Sequence, residues 1–208
     1  MKTKFLLLTM LTSAFVLAQN QKFKLISFSA NLNYPVAFGN NFLSKGYSSD
    51  SGYDLTWQIN PTRNLFFGLT VGHINKKISN PDLIGDFENG ATIAYHNYYI
   101  GYRHNLKFKK LYLEHYIGFG TCEITNKSFL SEYIITNGKS FIIGSRINYE
   151  FVPEFSLFAG VDFNYTTYPV ILSGPYKDFY SKSYQFSPSL GLKFSFWNVG
   201  KNKTLNNK

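Results

Sequence analysis

Seven ionisable residues could do chemistry together: Asp54, Arg103, Glu114, Arg146, Glu150, Asp162 and Lys193. Each falls on the more polar parity of a segment in which polar and apolar side chains alternate. If those segments are strands, all seven point to one side of a sheet, the interior of a closed one. A charge buried alone costs several kcal/mol, so opposite signs are expected to pair. Arg103 and Glu114 flank the turn at 105–110, so adjacent strands should hold them nearly side by side. Arg146 and Asp162 flank the Pro153 turn diagonally. The spacing predicts that neutralising Arg103 alone destabilises the fold, while removing Arg103 and Glu114 together costs less.

Catalytic chemistry has thinner support. The histidines are His73, His96, His104 and His115, and the single cysteine is Cys122. A nucleophile needs a base within hydrogen-bond reach and a third group to orient that base. His104 sits beside a short turn, and His115 is mid-strand with Glu114 pointing the opposite way. His73 and His96 approach the other rim, but neither is in a His-x-Ser pattern or obviously paired with a serine. Four scattered histidines do not make a metal set, and no cofactor motif is present. Cys122 is read as a small strand-end residue; being alone, it cannot form an intramolecular disulfide.

The elements that carry these residues are strands, because a period of two recurs about eight times. Residues 155–165 are an example: Phe155, Leu157, Ala159, Val161, Phe163 and Tyr165 alternate with Ser156, Phe158, Gly160, Asp162 and Asn164. The same pattern predicts strands over 23–34, 52–60, from Leu65, over 94–104, from Leu111, around 141–149 and through 190–196. The start of the fourth is ambiguous, since Ile93 and Tyr95 break its parity, as a bulge would. Short turns centre near residues 62, 107 and 153. Longer connections are read at 35–51, 76–92, 123–139 and 169–183. Those at 82–87, 128–135 and 169–172 are more apolar than solvated loops require, which predicts loops packed on one another, strands that continue, or a sticky edge.

Glycines test the register independently. Gly52, Gly68, Gly72, Gly101, Gly118, Gly120, Gly144, Gly160 and Gly191 all share the polar parity. In a narrow barrel they would make room inside for a Tyr, Arg or Phe opposite. Apolar side chains then face out, the reverse of a soluble ligand-binding barrel. Tyr34, Trp57, Tyr102, Tyr149, Tyr165 and Trp197 are read as interfacial aromatics. The expected fold is all-β: an eight-stranded antiparallel up-and-down transmembrane β-barrel.

Composition agrees. The 208 residues are 19% aromatic with a net charge of +9. The lysines lie in loops and in the tail rather than in a stripe, which argues against nucleic acid. Residues 1–18 read as a secretory signal peptide, with Lys2 and Lys4 before an apolar run and Val16 and Ala18 before the cut. Residues 19–197 form the predicted barrel and 198–208 a polar, basic C-terminal tail.

The signal peptide, the alternating strands, the two kinds of connection and the last strand ending Lys193-Phe-Ser-Phe-Trp197 resemble the small outer-membrane barrels typified by OmpX and the OmpA membrane domain. No local motif is specific to one member, and the tail departs from the usual terminal aromatic. The resemblance implies a monomer in the outer membrane, contacting lipid and lipopolysaccharide and inserted by the barrel assembly machinery. It also implies a lumen closed by the charge network, no enzyme activity, and support of the envelope or surface contacts through extracellular loops. A lipid A-modifying enzyme, a narrow gated pore and an accessory subunit of a secretion complex are the alternatives.

Overall fold

The computed structural model describes residues 23–85, 87–108, 110–128, 133–171, 174 and 176–199. The predicted signal peptide and the tail from residue 200 lie outside the described residues. In chain order the elements are β1 (Phe23–Asn33), β2 (Val36–Phe38), α1 (Phe42–Gly46), β3 (Tyr47–Ser48), β4 (Gly52–Ile59), β5 (Leu65–Ile78) and α2 (Pro81–Ile84). They continue with β6 (Phe87–Asn105), β7 (Leu111–Ser128), β8 (Tyr133–Val152), β9 (Phe155–Thr167), α3 (Tyr176–Ser181) and β10 (Lys182–Val199).

Eight of these strands close a ring. Each of β1, β4, β5, β6, β7, β8, β9 and β10 pairs antiparallel with the next, and β10 returns to β1. Closure satisfies backbone groups within the sheet and leaves no edge around the wall, as a structure surrounded by lipid requires. The alternation decides which way the wall faces. On β4, Tyr53, Leu55, Trp57 and Ile59 are exposed, while Asp54, Thr56 and Gln58 are buried. The fold is therefore the predicted antiparallel transmembrane barrel, apolar outside and polar within.

The short turns are fastened by side chains. At residues 60–64, Asn60 Nδ2 donates to the Lys24 carbonyl at 2.8 Å, and Asn64 Nδ2 to the Arg103 carbonyl at 2.7 Å. Thr62 Oγ1 accepts from the Leu65 amide at 2.9 Å. Each bond supplies a partner to a backbone group that the end of a ladder would leave open.

The loop end differs from expectation in three ways. First, β6 starts at Phe87, not near Ala94; its register shifts between Glu88 and Ala91 and is continuous from there to Asn105. Ile93 and Tyr95 keep the inward parity; they only looked out of step because the lumen is apolar at this level. Second, β7 and β8 run on as a hairpin to Ser128 and from Tyr133, replacing most of the long connection read at 123–139. Cys122 is consequently an inward, buried residue within β7 and not a strand-end residue. Third, the remaining connections carry α1, α2 and α3 and fold over the barrel mouth. Leu43 of α1 is fully buried, and Phe42 packs edge-on against Tyr168 and stacks on Tyr180. Tyr180 in turn donates to the Leu83 carbonyl at 3.0 Å.

Candidate functional site

The inward side chains form two layers. Near the short turns, strand register puts Arg103 and Arg146 directly opposite Glu114, one on each side. Glu114 is the hub. Its carboxylate accepts from Lys193 Nζ at 2.6 and 2.7 Å and from Arg103 Nη2 at 2.8 Å and Nε at 3.2 Å. Gln58 Nε2 and Asn148 Nδ2 add bonds at 3.2 and 3.4 Å. Two cations on one carboxylate, all nearly buried, form a compact ionic knot. The Tyr112 ring lies beside it, 4.7 Å from the Arg103 guanidinium.

The other predicted charges do not join that knot. Arg146 lies over the rings of Tyr116 and Phe158, at 4.9 and 5.1 Å, and its Nε has no partner among the described residues. Among the described residues it makes no salt bridge with Asp162, its expected diagonal partner; the Tyr116 hydroxyl donates to Asp162. Asp54 accepts from Asn31 Nδ2 at 2.8 Å and from the Tyr95 hydroxyl. Glu150 sits at the turn end, half-exposed, 3.9 Å from Lys24. Thus the structure brings Arg103, Glu114 and Lys193 together and leaves Asp54, Arg146, Glu150 and Asp162 with other neighbours. Sequence reasoning missed Gln58, Asn60, Asn148, Tyr95 and Tyr116 as partners; Gln58, Asn60, Asn148 and Tyr116 share the inward parity of the predicted strands, whereas Tyr95 was hidden by the break in parity at the start of the fourth.

The glycines hold the space these large groups occupy. A Cβ at Gly68 would fall on the Tyr99 ring, and one at Gly144 on Tyr116 and Asp162. A Cβ at Gly160 would lie 2.8 Å from Arg146 Cγ. Aromatic rings pack through the lumen: Phe66 edge-on to Tyr99 at 6.0 Å and Tyr99 tilted against Tyr116 at 4.9 Å.

Above them the interior becomes apolar. Ile74, Ile93, Cys122, Ile124 and Tyr168 meet Phe42, Leu43 and Tyr47 from the connection that folds inward. Tyr47 donates to Asn126 Oδ1 at 2.8 Å, and burial raises its phenol to about 12, so it stays a neutral donor. Between the layers lies a small cavity of about 20 Å³, edged by Asn97, Ser140 and Gln185.

Solved structures share the fold. The chain is similar to Neisserial surface protein A, with 11% identity, a TM-score of 0.62, and coverage of 82% of this chain and 97% of that one. It is also similar to Ail, the attachment invasion locus protein of Yersinia pestis, at 14% identity, TM-score 0.51, 86% and 100% coverage. The N-terminal β-barrel domain of Pseudomonas aeruginosa OprF follows at 14% identity, TM-score 0.50, 85% and 100% coverage. This is the fold of the small outer-membrane β-barrels. No known protein family and no curated protein matches the sequence.

On the outside of this outer-membrane barrel fold, Tyr34 and Tyr165 lie toward the loop end and Tyr149 toward the turn end, while Tyr102 is directly opposite His115. Trp57 stands between, edge-on to Phe28 at 6.1 Å. The side chain of Trp197 is outside the described residues. Of the rim histidines, His73 stacks on Tyr53 at 5.5 Å and His96 is opposite Val71 and Thr121, while mid-strand His115 is opposite Ser145. Among the described residues, no group of three His, Cys, Asp or Glu side chains is arranged to hold a metal.

Proposed function

We propose that this chain is a non-enzymatic outer-membrane barrel, closed to ions by its own side chains, that acts at its surface. It is exported with its signal peptide removed and inserted by the barrel assembly machinery among outer-membrane lipid and lipopolysaccharide. The loop end faces outward. One observation carries the reading: the lumen is filled at two levels, by the knot around Glu114 and by the apolar layer beneath α1. A space of about 20 Å³ between them holds roughly one water, not a hydrated ion. On this reading, what remains for function is the envelope itself and the outer rim. There β8 extends past the last pair it makes with β9, Lys139 opposite Thr167, so residues 133–138 have no strand partner on that edge among the described residues. Tyr133, Ile134 and Ile135 are exposed along it. An open edge of this kind pairs with a partner's extended chain, which is the physical basis for a surface contact.

The test is fractionation and gel mobility with and without boiling, followed by conductance in planar bilayers. An outer-membrane protein that shifts on boiling and leaves the bilayer silent supports the reading. Steady single-channel steps would overturn the closed lumen, and a soluble periplasmic protein would overturn the whole.

A further inference from the structure

The outward belt has one chemical flaw, and it sits at mid-depth. On β7 the outward side chains Leu111, Leu113, His115, Ile117 and Phe119 run from the turn end up to Thr121. On β8 the corresponding run is Phe141, Ile143, Ser145, Ile147 and Tyr149. The middle residue of each run is polar, and the two are directly opposite each other, His115 against Ser145. An apolar band of this kind is about 25 Å tall, so both groups lie near the centre of the hydrocarbon. Neither side chain makes a hydrogen bond to another described residue. They lie in a groove of about 570 Å³ that runs across the wall between Tyr102, Ile117, Ile143, Val161 and Phe186.

Polar groups at that depth find no partner in lipid. Acyl chains can fill the groove but carry neither donor nor acceptor there, and headgroups are too far away. We propose that this groove is the contact face of a dimer, occupied by a second copy of the same chain. The membrane orients every copy alike, so a two-fold axis along its normal keeps each residue at its own depth in both protomers. An isologous contact must be self-complementary, and this one is: an imidazole and a hydroxyl side by side can exchange reciprocal bonds, His115 of each protomer with Ser145 of the other. The small Ser145 and Val161 admit the approach of the facing wall. The inference builds on the outer-membrane reading and departs from the monomer that the family resemblance implies.

The test uses the full chain reconstituted in phospholipid vesicles. Energy transfer between donor- and acceptor-labelled copies is followed as lipid dilutes protein. Side-chain hydrogen bonds in membranes are each worth a few-fold in association, so losing two reciprocal bonds should weaken it roughly tenfold. The variant is His115→Leu with Ser145→Leu. Both changes suit a lipid-facing wall, so the urea midpoint of the barrel should hold or rise while association falls. Wild-type protein that shows no transfer at any dilution, or association that the double variant leaves unchanged, would overturn the proposal. If the barrel fails to shift on boiling or to enter membranes, the outer-membrane reading itself fails; a folded but monomeric barrel sinks only the dimer.

Discussion

Replacing Glu114 by Gln should be the most damaging single change to the charged residues of the lumen. The carboxylate is 1% exposed and neutralises Lys193 and Arg103 at once, with contacts of 2.6 and 2.8 Å. Its loss strands two buried cations. Breaking a buried pair by removing one partner costs about 3–5 kcal/mol. With a denaturant slope of about 2 kcal/mol per molar urea, the unfolding midpoint should drop by roughly 2 M. Arg103→Met should cost far less, because Glu114 and Lys193 then remain as a balanced pair. The structure therefore revises the expectation drawn from sequence. Removing Arg103 and Glu114 together still leaves Lys193 alone, so that double variant recovers only part of the loss. Full recovery, to within about 1–2 kcal/mol of wild type, needs the triple variant Glu114→Gln, Arg103→Met, Lys193→Met, since an apolar replacement of a buried ionic cluster is often neutral. The assay is urea unfolding in detergent or thin bilayers, read by tryptophan fluorescence and by gel mobility. A Glu114→Gln midpoint within experimental error of wild type would refute the argument. So would a triple variant less stable than the single.

Two further outcomes follow from the packing. Gly68→Ala places a methyl group on the Tyr99 ring and should cost about 1–3 kcal/mol, with Tyr99→Leu in the same chain restoring much of it; a neutral Gly68→Ala would mean that Tyr99 does not fill the lumen opposite it. Burial raises the Tyr47 phenol from 10.0 to about 12. The sign is that of an acid favoured neutral in the fold. Below pH 10 both states are protonated and nothing changes. Between pH 10 and 12 the unfolded phenol ionises first and the cover over the mouth loses stability. Proteolysis of the 36–48 segment across that range should accelerate, and Tyr47→Phe should abolish the acceleration.

Much of this protein is legible in its sequence because a strand has a rigid period. Once the alternation at 155–165 is read, every neighbour with the same period must face the same two environments, and lipid outside requires the apolar parity to be outward. The inward glycines, the ring of eight strands and the adjacency of Arg103 and Glu114 all follow from that one constraint and from short turns. Where the alternation failed, the reading failed with it. Ile93 and Tyr95 broke the expected pattern because the lumen changes character along its axis, which no local period encodes.

What sequence alone determined is the faces: which side chains point in, which point out, and which pairs lie across a tight turn. What only the tertiary structure decided is the partnership of residues that meet across the lumen. Lys193 reaches Glu114 from a strand 79 positions away. Tyr116 reaches Asp162 by crossing β8, and Tyr168 meets Phe42 from 126 positions along the chain. Such contacts depend on strand tilt, the shear that closes the ring and the volume of every inward side chain at once. They are properties of the closed barrel, and closure is set by all eight strands together.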